Sequence, residues 1–186
     1  MLRFIKRLII RLRGDHPLED YIKRGMKIGK NFHNIGGGSL DYSHCWLISI
    51  GDNVTLAPGV RLIAHDASTA SRIVPNCHTK IGLIQIGNNV FVGANSVVLL
   101  NVTIGNNVII GAGSVVTRDI PDGSVAVGNP ARVVSSFDEY ARKNQDFFKV
   151  KPVFGGDTAV NGDSPMEKKE DQIEILKKEK IGFTHR

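Results

Sequence analysis

Cysteine is almost missing: Cys45 and Cys77 are the only two in 186 residues. Two thiols cannot build the disulfide framework that holds small secreted folds together, so both are read as reduced and the core must come from apolar packing. Aromatic residues are also scarce, at 6%, which points to stacked Ile, Val and Leu rather than large rings. No stretch of about 20 apolar residues exists to span a bilayer. The longest apolar run near the start, residues 8–10, lies between basic residues and no small-residue cleavage site follows, so no secretory signal is read. The expectation is a cytoplasmic protein. Negative charge is in the minority, giving a formal +6 and a pI near 9.4. A basic balance argues for nucleic acid only where it is localised. Here much of it lies in the first thirteen residues and leaves no basic stripe on the rest, so no nucleic-acid partner is expected.

What is present is a period of six. Residues 86–120 divide into IGNNVF, VGANSV, VLLNVT, IGNNVI, IGAGSV and VTRDI, the last completed by Pro121. Each unit opens with an aliphatic residue (Ile86, Val92, Val98, Ile104, Ile110, Val116), and four follow it with glycine. Six fits neither a helix nor an alternating strand, so the repeat itself is the fold signal. Its physical reading is a coil whose wall turns a corner every six residues, with one aliphatic side chain per unit pointing inward. Glycine and asparagine serve the corners, where positive φ is needed. One coil cannot bury its inner face alone, but a stack has a continuous core.

The repeat, the histidine in LIAHDAST and the closing run VVTRDIPDGSVAVGNPARVV resemble the hexapeptide-repeat acyltransferases over about residues 27–134. The resemblance implies an all-β fold, a left-handed parallel β-helix, here with N-terminal and C-terminal helical appendages. It also implies a homotrimer with acetyl-CoA bound between neighbouring subunits, and the chain fits this, its hexads being read as two and a little more full coils that make a short prism. The left hand comes from the family alone, since parallel crossovers are otherwise nearly always right-handed.

Along the chain, three regions are expected: residues 1–25, an amphipathic helix and connector; 26–134, the β-helix; and 135–186, a helix, a linker and a charged tail. Residues 2–13 place Leu2, Phe4, Ile5, Leu8, Ile9 and Leu12 on one helical face and five basic residues opposite. Such a helix either packs its apolar face on the β-helix or makes peripheral contact with an anionic membrane; binding to anionic vesicles separates the two. A short helix is expected over residues 18–23, and an isolated hexad opens at Ile28. The segment NIGGGSLDYSHCWLI then loses the period. After IGDNVT, LAPGVR and LIAHDA the repeat breaks over residues 68–80, which must project as a loop because the stacked walls cannot absorb it. Ser135 or Ser136 caps a helix reaching roughly to Phe148, and residues 155–165 read as a linker. The helical tail over residues 166–180, with Glu174 and Lys178 spaced to pair, has a thin apolar face and is expected to be loosely held or to depend on a neighbouring chain.

His65 is the candidate catalytic residue. It stands at the end of a coil just before the projecting loop, and histidine is the side chain whose ordinary pKa suits proton transfer near neutrality. By the resemblance it is the general base that takes a proton from the acceptor hydroxyl as that oxygen attacks the thioester. Asp66 is the adjacent carboxylate, but consecutive side chains of an extended segment face opposite ways, so it reaches His65 only if the chain turns there. In galactoside and maltose acetyltransferases a Gly-His-Pro stands at the base. The Ala64-His65-Asp66 here is nearer the capsule and lipopolysaccharide acetyltransferases, several of which share an SHCWLI-like segment. His44, in that segment, either binds the acceptor or assists His65; otherwise it is a polar residue satisfied within an irregular coil.

For the donor, the resemblance assigns Ala94 and Ala112 to the pantetheine arm, Thr117 and Arg118 to the nucleotide end, and Arg132 to the phosphates. Ser135 stands where a second basic residue is expected. The reading is an acetyl-CoA-dependent O-acetyltransferase acting on a sugar or polysaccharide precursor. The alternatives are N-acetylation of a nucleotide-linked amino sugar and a non-catalytic β-helix scaffold. No metal is expected, because the closely spaced histidine pair of a β-helix carbonic anhydrase is missing.

Overall fold

The computed structural model describes residues 16–37, 39–70, 73–155 and 159–184. The amphipathic helix expected over residues 2–13 lies outside them. The chain divides into two compact units, Met1–Phe137 and Asp138–Arg186.

The first unit begins with the expected short helix, Leu18–Lys23, whose Tyr21 is buried. Three walls of parallel strands follow. The first holds Lys27–Ile28, Ile48–Ile50, Ile84–Ile86 and Val102–Ile104. The second holds His33–Asn34, Val54–Leu56, Val90–Val92, Val108–Ile110 and Ser124–Val127, and the third holds Ser39–Leu40, Arg61–Ile63, Val97–Leu99 and Val115–Val116. Ile84 lies beside Val102, Val90 beside Val108 and Val97 beside Val115, so three hexads make one turn of eighteen residues. Hence the coil is longer than the two and a little more turns expected: it has four, plus a partial fifth that joins at Ile120 and folds Arg132–Ser136 back antiparallel on Ser124–Val127. The unbroken hexads are only its second half.

All six residues that open the hexads of residues 86–120 are buried, as are Ile50, Leu56 and Leu62 in the preceding turn. The fifth hexad positions Val90, Ser96, Val102, Val108, Ser114 and Ile120 are buried too. Two side chains per hexad therefore point inward rather than one. The reason is the strand's alternation: in Val90–Val92 the fifth position and the next opening residue face the core, while Phe91 between them faces out. Buried Ser96 and Ser114 each donate their hydroxyl to the carbonyl of Gly111, at 2.9 and 2.6 Å.

The corners divide the work between residue types. Positive φ falls on asparagine at Asn53, Asn89, Asn95, Asn101 and Asn107, with φ between 54° and 59°, and on glycine at Gly59 and Gly113. Down one corner Asn31, Asn53, Asn89 and Asn107 form a ladder, each side-chain amide donating to the oxygen of the next at 2.9 to 3.0 Å. The glycines after the opening aliphatic residue do something else. A Cβ on Gly93 would meet the backbone nitrogen of Ala112 at 2.5 Å; this glycine is there so that adjacent coils can touch. Gly113, at φ 68°, has nothing within 4 Å of its would-be Cβ. It stands one turn after Asn95 and needs only the left-handed backbone.

Two insertions lengthen the eighteen-residue spacing, both between the third wall and the first; the last turn, by contrast, is two residues short, with Ile104 beside Ile120 and Ile109 beside Val125. Ile28 pairs with Ile50, so the first turn carries four extra residues, near Asp41 and the short 3-10 turn Cys45–Leu47. Ile48 pairs with Ile84, so the second turn carries eighteen extra. This is the projecting loop, rooted in an antiparallel pairing of His65–Asp66 with Lys80–Ile81.

The second unit contains the remainder of the helix Phe137–Val150, the helix Met166–Glu179 and a parallel pairing of Val153–Phe154 with Phe183–Thr184. Neither helix buries a side chain. Lys151 ties the unit together by donating to the carbonyl and carboxylate of Glu179 at 2.9 and 3.2 Å. Glu174 pairs with Lys177 at 2.5 Å, three residues on, rather than with Lys178. No helix among the described residues is long and apolar enough to cross a membrane.

The division of labour at the corners makes opposite forecasts for two glycines. Gly93→Ala drives a methyl into backbone and should destabilise the coil by about 2 kcal/mol or more. Gly113→Asn should change stability by less than about 1 kcal/mol, because asparagine tolerates that φ. Urea unfolding of both variants checks this, and equal losses would contradict it.

Candidate active site

Asp41 is the centre of the site. It lies in the four-residue insertion after Ser39–Leu40, and its side chain is only 3% exposed. Its Oδ1 accepts from the backbone N–H groups of Ser43 and His44, both at 3.1 Å, and from the Ser43 hydroxyl at 2.7 Å. Its Oδ2 accepts from the Ala64 N–H at 3.0 Å and from His65 Nδ1 at 2.5 Å. Burial pushes this carboxyl's pKa up, but the hydrogen bonds of His65, Ser43 and His44 and the charge of His65 outweigh it, so Asp41 stays below the usual carboxylate range. It is therefore ionised at neutral pH and acts only as an acceptor.

His65 begins the projecting loop, and the bond to Asp41 fixes its ring: Nδ1 carries the proton and Nε2 presents a lone pair. The ring of His44 lies 4.9 Å from that of His65, centroid to centroid, and 5.4 Å from the half-exposed indole of Trp46. The two histidines meet within one chain. Asp66 points elsewhere. It accepts from the Ser68 N–H at 2.9 Å and pairs with Lys80 at 2.9 Å, and these partners lower its pKa to about 2. The carboxylate on the imidazole is Asp41, twenty-four residues away in sequence. Its signal was the polar interruption itself: an acid three residues before a histidine, in an insertion that breaks the repeat.

A cavity of about 540 Å³ opens on His65 and Asp41, lined also by Ser43, Tyr42, His16 and Arg61. His16 stacks on Tyr42 with ring centroids 3.4 Å apart, and Arg24 lies over the same ring at 4.1 Å. Asp41, His44 and His65 each offer a donor atom within 4.8 Å of the others, the one such trio among the described residues. Both Asp41 oxygens are already occupied by protein donors.

The expected donor residues lie on two different edges. Ala94 and Ala112 occupy the same corner one turn apart, between the second and third walls, where Gly113 donates its N–H to the Ala94 carbonyl at 2.8 Å. Thr117 and Arg118 are exposed between the third wall and the first, two turns along the edge that carries His65. Arg132 is exposed on the returning strand, with its guanidinium donating to the Ala131 carbonyl at 2.8 Å. One chain therefore does not gather all these groups with His65.

A family model described as bacterial transferase hexapeptide (six repeats) matches residues 84–118. Protein CapG of Staphylococcus aureus is 38% identical over 155 residues, covering 78% of this chain and 88% of that protein. Galactoside O-acetyltransferase of Escherichia coli (strain K12) is 38% identical over 122 residues, 66% of this chain and 58% of the relative. Among solved structures, a maltose O-acetyltransferase from Clostridium difficile 630 superposes with a TM-score of 0.51 at 32% identity, over 63% of this chain and 73% of the other. A hexapeptide-repeat acetyltransferase from Vibrio cholerae O1 biovar eltor, solved with acetyl coenzyme A, gives 0.53 at 28% identity over 61% of each chain. The coil is the left-handed parallel β-helix of these enzymes, and the chain belongs to the hexapeptide-repeat acyltransferases.

Proposed function

We propose that this protein moves the acetyl group of acetyl-CoA to a hydroxyl of a sugar or polysaccharide precursor, with His65 as general base. The observation that carries the reading is the His65–Asp41 pair. A buried, ionised carboxylate holds Nδ1–H, so Nε2 is free to take the acceptor's proton as its oxygen attacks the thioester carbonyl. The thioester's C–S bond then breaks, and the imidazolium returns the proton to the departing thiolate. Asp41 stabilises the imidazolium in between. The names of the galactoside and maltose relatives favour a sugar hydroxyl over an amine.

Acetyl-CoA fits the residues present. Small side chains at Ala94 and Ala112 let a narrow pantetheine arm approach the main chain, and the exposed cations Arg118 and Arg132 suit its phosphates. The position of Ala94 and Ala112 on a different edge of the coil from His65 supports a site shared between copies in a homotrimer. So does the outer face of the third wall, where Ile63, Val97, Leu99 and Val115 are half-buried and apolar, while Ser49, Gln85 and Thr103 face out from the first.

His65→Ala should lower kcat by about 10² to 10⁴ with acetyl-CoA binding retained. Asp41→Asn should lose about 10² or more because it frees the wrong tautomer, whereas Asp66→Asn should stay within about threefold. Steady-state kinetics with calorimetric CoA titration test this; more than about a tenth of wild-type activity in His65→Ala would mean another group takes the proton. Asp41 also sets an acid limit on stability. Its folded pKa lies below the ordinary 3.8, so the stability it contributes is present above that value and is lost as pH falls through the folded one. Asp41→Asn should melt below wild type at neutral pH, with the gap closing below about pH 4; a gap of constant size would contradict this. Light scattering should show a trimer, and a monomer that still turns over would refute the shared site.

A further inference from the structure

Asp41 serves two imidazoles, and the second is held through Ser43. The Ser43 hydroxyl lies 2.7 Å from Asp41 Oδ1 and 2.9 Å from His44 Nδ1. It has one proton to give. An ionised carboxylate is the stronger acceptor, since charge-assisted bonds are roughly twice as strong as neutral ones, so that proton goes to Asp41. The serine oxygen then accepts from His44, which must carry its proton on Nδ1. His44 and His65 are thereby locked in the same tautomer, each with a free Nε2 lone pair. Their side chains are 23% and 34% exposed, so each ring keeps an edge in reach of solvent.

One acceptor hydroxyl cannot satisfy both rings, because it too has a single proton. Given that His65 takes the proton of the reacting hydroxyl, His44 needs a second donor. With ring centroids 4.9 Å apart, that donor must lie close to the first, and two hydroxyls on adjacent carbons meet the requirement. The half-exposed Trp46 beside His44 offers an apolar face for the ring that bears them. We propose that the acceptor is a vicinal diol: His65 deprotonates one hydroxyl, His44 Nε2 accepts from its neighbour, and Ser43 is the positioning residue that sets the His44 tautomer. This rests on the reading of His65 as base.

Nitrogen-15 NMR of the ring nitrogens in the full-length protein tests the tautomer without any substrate. His44 should be protonated on Nδ1 in wild type and in Ser43→Thr, and become a mixture in Ser43→Ala; an Nε2–H tautomer in wild type overturns the proposal. For the diol, transfer from acetyl-CoA is measured with methyl hexopyranosides, their monodeoxy derivatives, simple mono-alcohols and amines. Removing the hydroxyl next to the acetylated one should lower kcat/KM about tenfold or more, mainly through KM, and this factor should shrink towards one in His44→Phe and Ser43→Ala. Mono-alcohols or amines used as readily as diols would overturn it. Failure of the base reading looks different: His65→Ala would keep its transfer rate while the His44 tautomer stayed as in wild type.

Discussion

Adjacent coils touch at their glycine corners so closely that no side-chain atom fits between them. A Cβ on Gly87 would come within 2.8 Å of the Gly105 carbonyl, so the distance between turns is set by backbone on backbone. Every other regularity follows from that contact. The walls must be parallel and in register, the corners must admit positive φ, and two of every six side chains must fill a narrow core. Large rings would not fit it, which agrees with the scarcity of aromatic residues and with a core built mostly of Ile, Val and Leu.

The walls are regular, and the cluster of Asp41, His44 and His65 sits where that regularity fails. Both insertions occur between the third wall and the first, in consecutive turns. The first supplies Asp41, Ser43 and His44; the second supplies Ala64 and His65. Asp41 joins them, with one oxygen bound to its own turn and the other to the next. The residue that orients His65 thus also bonds two coils, which ties the geometry of the site to local stability.

Much of the coil was legible because its signal is local. Each hexad announces its opening aliphatic residue and its corner, and the histidine at the loop's root marks where the pattern stops. The count of turns was not legible. Ile28 lies out of phase with Ile50 because of the four-residue insertion, and a repeat that slips phase looks like a repeat that has not begun. The second inward side chain per unit was hidden because serine at Ser96 and Ser114 does not read as core. Asp41 escaped for a different reason: its partner is twenty-four residues away, and only the coil brings them together. Asp66 drew attention by adjacency, yet alternation along the strand sends it to Lys80.

The projecting loop has a length worth noticing. Ile50 and Ile86 are partners separated by two periods of the coil rather than one, so the loop contains as many residues as a whole turn and leaves the hexad phase untouched on either side. A turn at that place would have brought its own set of inward residues, as the next one does with Ile84, Ile86, Val90, Val92 and Val98. Burial of such side chains is worth roughly 1.5 to 3 kcal/mol each. The molecule forgoes one layer of its core there, and the same length of chain becomes instead an excursion rooted at His65–Asp66 and Lys80–Ile81.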